Sequence, residues 1–134
     1  MTRQKEIQQE MRNAGPAELK ASLRILDHWG FARREKAKVL AVKPSTITGY
    51  QAGRIPKTIY SLDRRERISY IMGIAKALDI LVGDQTQIAQ WINQPTFAPP
   101  FGGQPPKKRI LAGLVADLYV TRQYLDSQLN NNVS

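Results

Sequence analysis

Residues 62–82 carry the most regular apolar period of the chain: Ile68, Ile71, Ala75, Leu78 and Leu81 recur at spacings of three and four. That is one stripe of an α-helix and cannot be the alternating face of a strand. A helix of this length is a rod of about 30 Å. Its stripe has to be buried, so the other segments must supply the surfaces that cover it.

Those segments show the same period between breaks. Residues 17–29 hold Leu19, Leu23 and Leu26, with Gly15-Pro16 before them and Gly30 after. Proline suits the first turn of a helix and glycine its end. Residues 33–40 make a short helix with Ala37 and Leu40 on one side. Residues 44–52 make another, with Ile47 and Tyr50 inward and Gly53 stopping it. Residues 86–93 form a short helix carrying Trp91. Residues 107–129 form a last one, with Leu111, Leu114, Leu118, Leu125 and Leu129 spaced for one face. Between these two lies 94–106, with five prolines and Gly102-Gly103, which can be neither helix nor central strand. The first fifteen residues are polar, with Ile7 and Met11 four apart, and read as a frayed helix or an arm. Asn130–Ser134 reads as a mobile polar tail. The expected fold is all-α. Residues 1–60 hold an arm and a helix-turn-helix module, 61–82 a connecting helix, and 83–134 a helical module for partner binding and dimerisation.

Charge is unevenly placed. The chain carries +9 overall, and residues 33–67 hold ten Lys/Arg against three Asp/Glu, whereas 71–134 hold five against four. A clustered basic stretch is the footprint of a phosphate-binding surface, and also of a solvated face without a partner. The chain has no cysteine and a single histidine, His28. Disulfides, thiolate metal sites and a cysteine nucleophile are therefore excluded, and a histidine metal site or triad has no material. No nucleophile–base pair or carboxylate pair stands out, so no catalytic residues, metal or cofactor are assigned and an enzyme is the weakest reading. No apolar run reaches the roughly 20 residues of a membrane helix. A cytoplasmic protein is expected.

The basic stretch coincides with a spacing that has its own meaning. A helix-turn-helix needs small residues where two short helices meet and apolar residues that pin the second to the body. Ala37, Ala41 and Val42 supply the first requirement, and Ile47 with Tyr50 the second. Lys43, Ser45, Thr46, Thr48 and Gln51 are left on the outer face, as hydrogen-bonding side chains suited to base edges and phosphates. Arg54 and Lys57 follow, where the chain leaves a groove. Gly49 is expected on the same outer face, as a gap in it.

The second half resembles a known family. Trp91-Ile92-Asn93-Gln94-Pro95, Phe101-Gly102-Gly103, Leu111-Ala112-Gly113, Asp117-Leu118 and Arg122-Gln123-Tyr124-Leu125-Asp126 look like the toxin-binding domain of the Xre/MbcA/ParS antitoxins. Upstream, residues 26–30, 54–56 and 67–70 sit where that family has its Xre-like helix-turn-helix and connecting helix. The resemblance covers roughly residues 20–126. It implies an antitoxin that blocks an NAD-consuming RES-domain toxin and represses its own operon by binding duplex DNA as a homodimer. It also implies toxin contacts from Arg122, Tyr124 and Asp126, with Arg122 and Asp126 projecting outward. On the residues alone, Arg122 and Tyr124 read equally well as a solvated helix face. The alternative function is a stand-alone helix-turn-helix regulator without a toxin.

Overall fold

The computed structural model describes residues 5, 6, 8, 9, 14–57 and 60–133, so Ile7 and Met11 of the arm, and Ser134 of the tail, lie outside the described residues. Lys5, Glu6, Gln8 and Gln9 are helical. From Ala14 onward the described chain is all-α: α1 Pro16–His28, α2 Arg33–Leu40, α3 Pro44–Gln51, α4 Leu62–Leu81, α5 Gln85–Asn93, α6 Pro106–Ile110 and α7 Val115–Val133. Among the described residues the only β pairing is an isolated bridge between Thr96 and Gln104, which closes the proline-rich loop.

The helix starts follow from local chemistry. Pro16 opens α1, and the Glu18 carboxylate accepts the Gly15 N–H at 3.0 Å. Ser61 Oγ accepts from the Arg64 N–H at the start of α4, and Asp84 accepts from the Gln87 N–H at the start of α5. The expected helix over 107–129 is two helices. Gly113 takes φ 93, a left-handed conformation that ends a helix, and Asp117 accepts the Leu114 N–H at 3.1 Å to begin a new one. Leu114 is thereby turned out and is 65% exposed, while Leu118 and Leu125 are buried. The expected mobile tail is helical as far as Val133.

Helix α4 is the centre. Ile68, Ile71 and Leu78 of the expected stripe are buried, and Ala75 lines a small cleft with Ile25 of α1 and Trp29. The opposite side is buried too: Tyr70, Gly73 and Ala77 meet α7. Tyr70 stacks edge-on against Tyr119, and Gly73 lies under Arg122. The pairing advances by three on both helices, so α4 and α7 run parallel. A Cβ on Gly73 would stand 2.4 Å from the Arg122 guanidinium carbon. The glycine is what lets that side chain lie flat on α4. One cluster of buried residues runs from Ala14 through α1 to α7 and ends at Leu125. Among the described residues no helix is long and apolar enough to cross a membrane.

Arg67 ties α4 to the basic segment. It is buried, donates Nε–H to Asp63 at 2.8 Å, and donates from its guanidinium to the Val39 carbonyl at 3.1 Å. Val39 lies in the last turn of α2, whose carbonyls have no partner within the helix. Replacing Arg67 with Leu leaves that buried oxygen unsatisfied. Arg67→Leu is expected to lower unfolding stability by about 1–3 kcal/mol, read from urea denaturation.

Candidate nucleic-acid interface

Helix α2 begins with the Glu35 carboxylate accepting the Ala32 N–H at 2.8 Å. It ends at Ala41, whose backbone is left-handed at φ 57 and ψ 46. The Val42 N–H then returns to the Ala37 carbonyl at 2.9 Å. This is the geometry that closes a helix end, here built on alanine where glycine is favoured. Residues 41–43 form the turn, and Pro44 opens α3 at its first position. Ile47 and Tyr50 are buried and pin α3 to the body as expected.

Lys43, Ser45, Thr48 and Gln51 are exposed on the opposite side, and Thr46 is half-buried. Arg54 and Lys57 are exposed beyond the helix. Gly49 departs from expectation: it is buried, because the Arg54 side chain lies across it, with Nε 3.4 Å from where a Cβ would be. The gap expected in the outer face is thus filled by a guanidinium from five residues downstream. Thr48 departs as well. Its hydroxyl accepts from Arg33 at 2.7 Å and donates to the Pro44 carbonyl at 3.4 Å. It therefore positions Arg33 beside α3. Arg33 belongs to the basic stretch, but no local spacing links it to a residue fifteen positions away.

The expected toxin-facing residues lie elsewhere. Arg122 is buried rather than outward: it packs on Gly73 and pairs with Asp126 at 3.6 Å. Tyr124 is half-buried and stacks edge-on against Phe101, which stacks in turn against Trp91. Asp126 is half-buried. These side chains hold the proline-rich loop and α7 to the core. Exposed residues of α7 include Ala116, Tyr119, Gln123, Ser127 and Asn130, a stripe at helical spacing, with Asn131 exposed beside its end. Phe97, at 89% exposure, is the most exposed large apolar side chain among the described residues.

The two halves meet at α2. Lys107 of α6 pairs with Glu35 at 3.1 Å and sits 5.0 Å over the Phe31 ring. An open groove of about 770 Å³ runs along this junction, with Lys38 and Lys108 on its walls and Phe101 and Leu111 beneath. Burial is the largest influence on the Glu35 carboxyl and raises its pKa. The Ala32 N–H and the Lys107 ammonium outweigh it and hold the carboxyl below its ordinary value.

Two outcomes follow. Ala41→Gly relieves the left-handed alanine and is expected to raise stability by up to about 1 kcal/mol, whereas the β-branched Ala41→Val lowers it; thermal unfolding distinguishes them. A carboxyl held low stabilises the fold above its ordinary value, and the contribution is lost as pH falls through the lowered one. Stability should therefore decline below about pH 4.5. Glu35→Gln should be less stable at neutral pH and show a shallower decline in acid.

No family model matches the chain. It is 36% identical over 113 residues to a protein of Sinorhizobium fredii described as "Uncharacterized protein y4oB", the match covering 84% of each chain. With that much of both chains aligned, the protein belongs to the same family as y4oB of Sinorhizobium fredii.

Proposed function

We propose that the protein is a cytoplasmic antitoxin that binds duplex DNA through α2 and α3, represses its own operon, and neutralises a RES-type toxin. The observation that carries the DNA-binding part is α3 itself. A short helix is pinned by Ile47 and Tyr50 and preceded by a tight turn at Ala41. It shows solvent Pro44 and the polar side chains Ser45, Thr48 and Gln51, with Lys43 just before it and two arginines laid beside it. These features support reading α2 and α3 as a helix-turn-helix whose second helix enters the major groove. Lys43, Arg54 and Lys57 then hold phosphates. Ser45, Thr46 and Gln51 face base edges, and the protein acts as a homodimer on two half-sites.

The toxin-neutralising part rests on the ordered motifs of the second half. Its contact surface is assigned to the exposed stripe of α7, Tyr119, Gln123 and Ser127 among it, because Arg122 and Tyr124 are engaged in the core. A truncation near Tyr119 would remove Leu125 from that core and test folding instead of contact.

The experiment is titration of fluorescent duplexes from the protein's own promoter region over a range of salt, with co-expression alongside the toxin of the adjacent gene. Lys43→Ala and Arg54→Ala should each weaken binding to every sequence and reduce the salt slope by about one. Ser45 and Thr46 substitutions should change the preference between sequences. Gln123→Glu should lose protection of growth and of NAD level with DNA binding intact. Absence of salt-dependent DNA binding in the wild-type chain contradicts the first part. DNA binding without any protection favours a stand-alone regulator.

A further inference from the structure

Arg33 and Glu35 lie two residues apart on α2, about 200° around the helix, and so point to opposite flanks. Arg33 reaches Thr48 of α3, and Glu35 reaches Lys107 of α6. Helix α2 therefore lies between the reading helix and α6. The ridge midway between those flanks carries Arg34 and Lys38, one turn apart and both exposed. The Lys38 stem runs beside Gly113, 3.6 Å from where a Cβ would stand, at the turn that follows α6. Lys108 of α6 is exposed next to it, on the same groove. Lys107 and Arg109 are matched by Glu35 and Asp117. Among the described residues, Arg34, Lys38 and Lys108 pair with no carboxylate. Basic side chains thus line the route from α3 over α2 to α6, with the Glu35 and Asp117 carboxylates on that groove matched by Lys107 and Arg109, although Lys108 is about seventy positions away from Lys38 in the chain.

We infer that duplex DNA is held by this whole surface, with Arg34, Lys38 and Lys108 contacting phosphates beyond the groove that α3 enters. The inference rests on the DNA-binding function proposed above and extends it into the half of the chain whose net charge is near zero. The dimensions fit. A major groove is about 12 Å wide, and packed helices stand roughly 8–10 Å apart. With α3 in the groove, the α2 ridge lies over the strand that borders it, and α6 lies further along. The contacts carry no base information, so they add affinity without changing sequence preference.

The test uses the full chain and two duplexes, one from its own promoter region and one unrelated, titrated by fluorescence anisotropy across a salt series. Because Lys38 and Lys108 are exposed, the Lys38→Ala/Lys108→Ala variant should keep its helical circular dichroism. It is expected to lose affinity for both duplexes in the same ratio and to reduce the salt slope by about two. Lys76→Ala, an exposed lysine on α4, is expected to leave the slope unchanged. Four results overturn the inference. The double variant binds like wild type while Arg54→Ala is impaired. Lys76→Ala reduces the slope as much as the double variant, which makes the effect one of net charge. The double variant keeps DNA binding and loses the toxin, which makes the surface a dock for an acidic protein. Wild type binds no DNA, which removes the underlying function as well.

Discussion

Helix α4 must bury two opposite faces, and the position of every other element follows from that. Ile68, Ile71 and Leu78 belong to one face and Tyr70, Gly73 and Ala77 to the other, all of them buried. The first needs α1 and α2 as cover, and the second needs α7. Helix α7 can come close only because Gly73 presents bare backbone to Arg122. Arg67, at the start of the same helix, reaches the end of α2 through the Val39 carbonyl. The helix that organises the core is therefore also the one that fixes the basic helix pair.

The treatment of charge supports the same division of labour. Lys36, Arg67 and Arg122 are buried, which is costly unless each is matched, and each faces an aspartate: Asp27, Asp63 and Asp126. Glu35 and Asp117 are paired with Lys107 and Arg109. Much of the small acidic complement is thereby used in internal contacts. The cations left exposed, on α2, at Lys43 before α3 and in the segment after α3, dominate the field at that surface. Such a surface attracts polyanions before any specific contact forms.

The parts legible in the sequence were those set by local period and local breakers. The starts and ends of α1 to α5 follow proline, glycine and capping residues. Ile47 and Tyr50 are buried where their spacing puts them. What was not legible depends on partners far away in the chain. The second face of α4 was missed because Gly73 and Ala77 carry no hydrophobic signal and gain their meaning from α7. Leu114 fits the apolar period of its segment, but the left-handed Gly113 and the Asp117 cap break that period in two. Arg122 looks like a surface arginine until Gly73 is placed beneath it. At the candidate interface, the exposed set from Lys43 to Lys57 was readable, apart from the half-buried Thr46. The use of Thr48 to hold Arg33, and of Arg54 to cover Gly49, was not, since both contacts arise from the turn geometry of the folded chain.

The central claim is that α3, held in place by α4, is the surface that meets duplex DNA. Backbone amide NMR of the isotope-labelled chain, titrated with duplex, tests it most directly. The claim predicts that perturbations concentrate in residues 43–54 and along the exposed ridge of α2, while the amides of α4 and α7 keep their positions. Perturbations confined to α7, with residues 43–54 unchanged at saturating DNA, would contradict it.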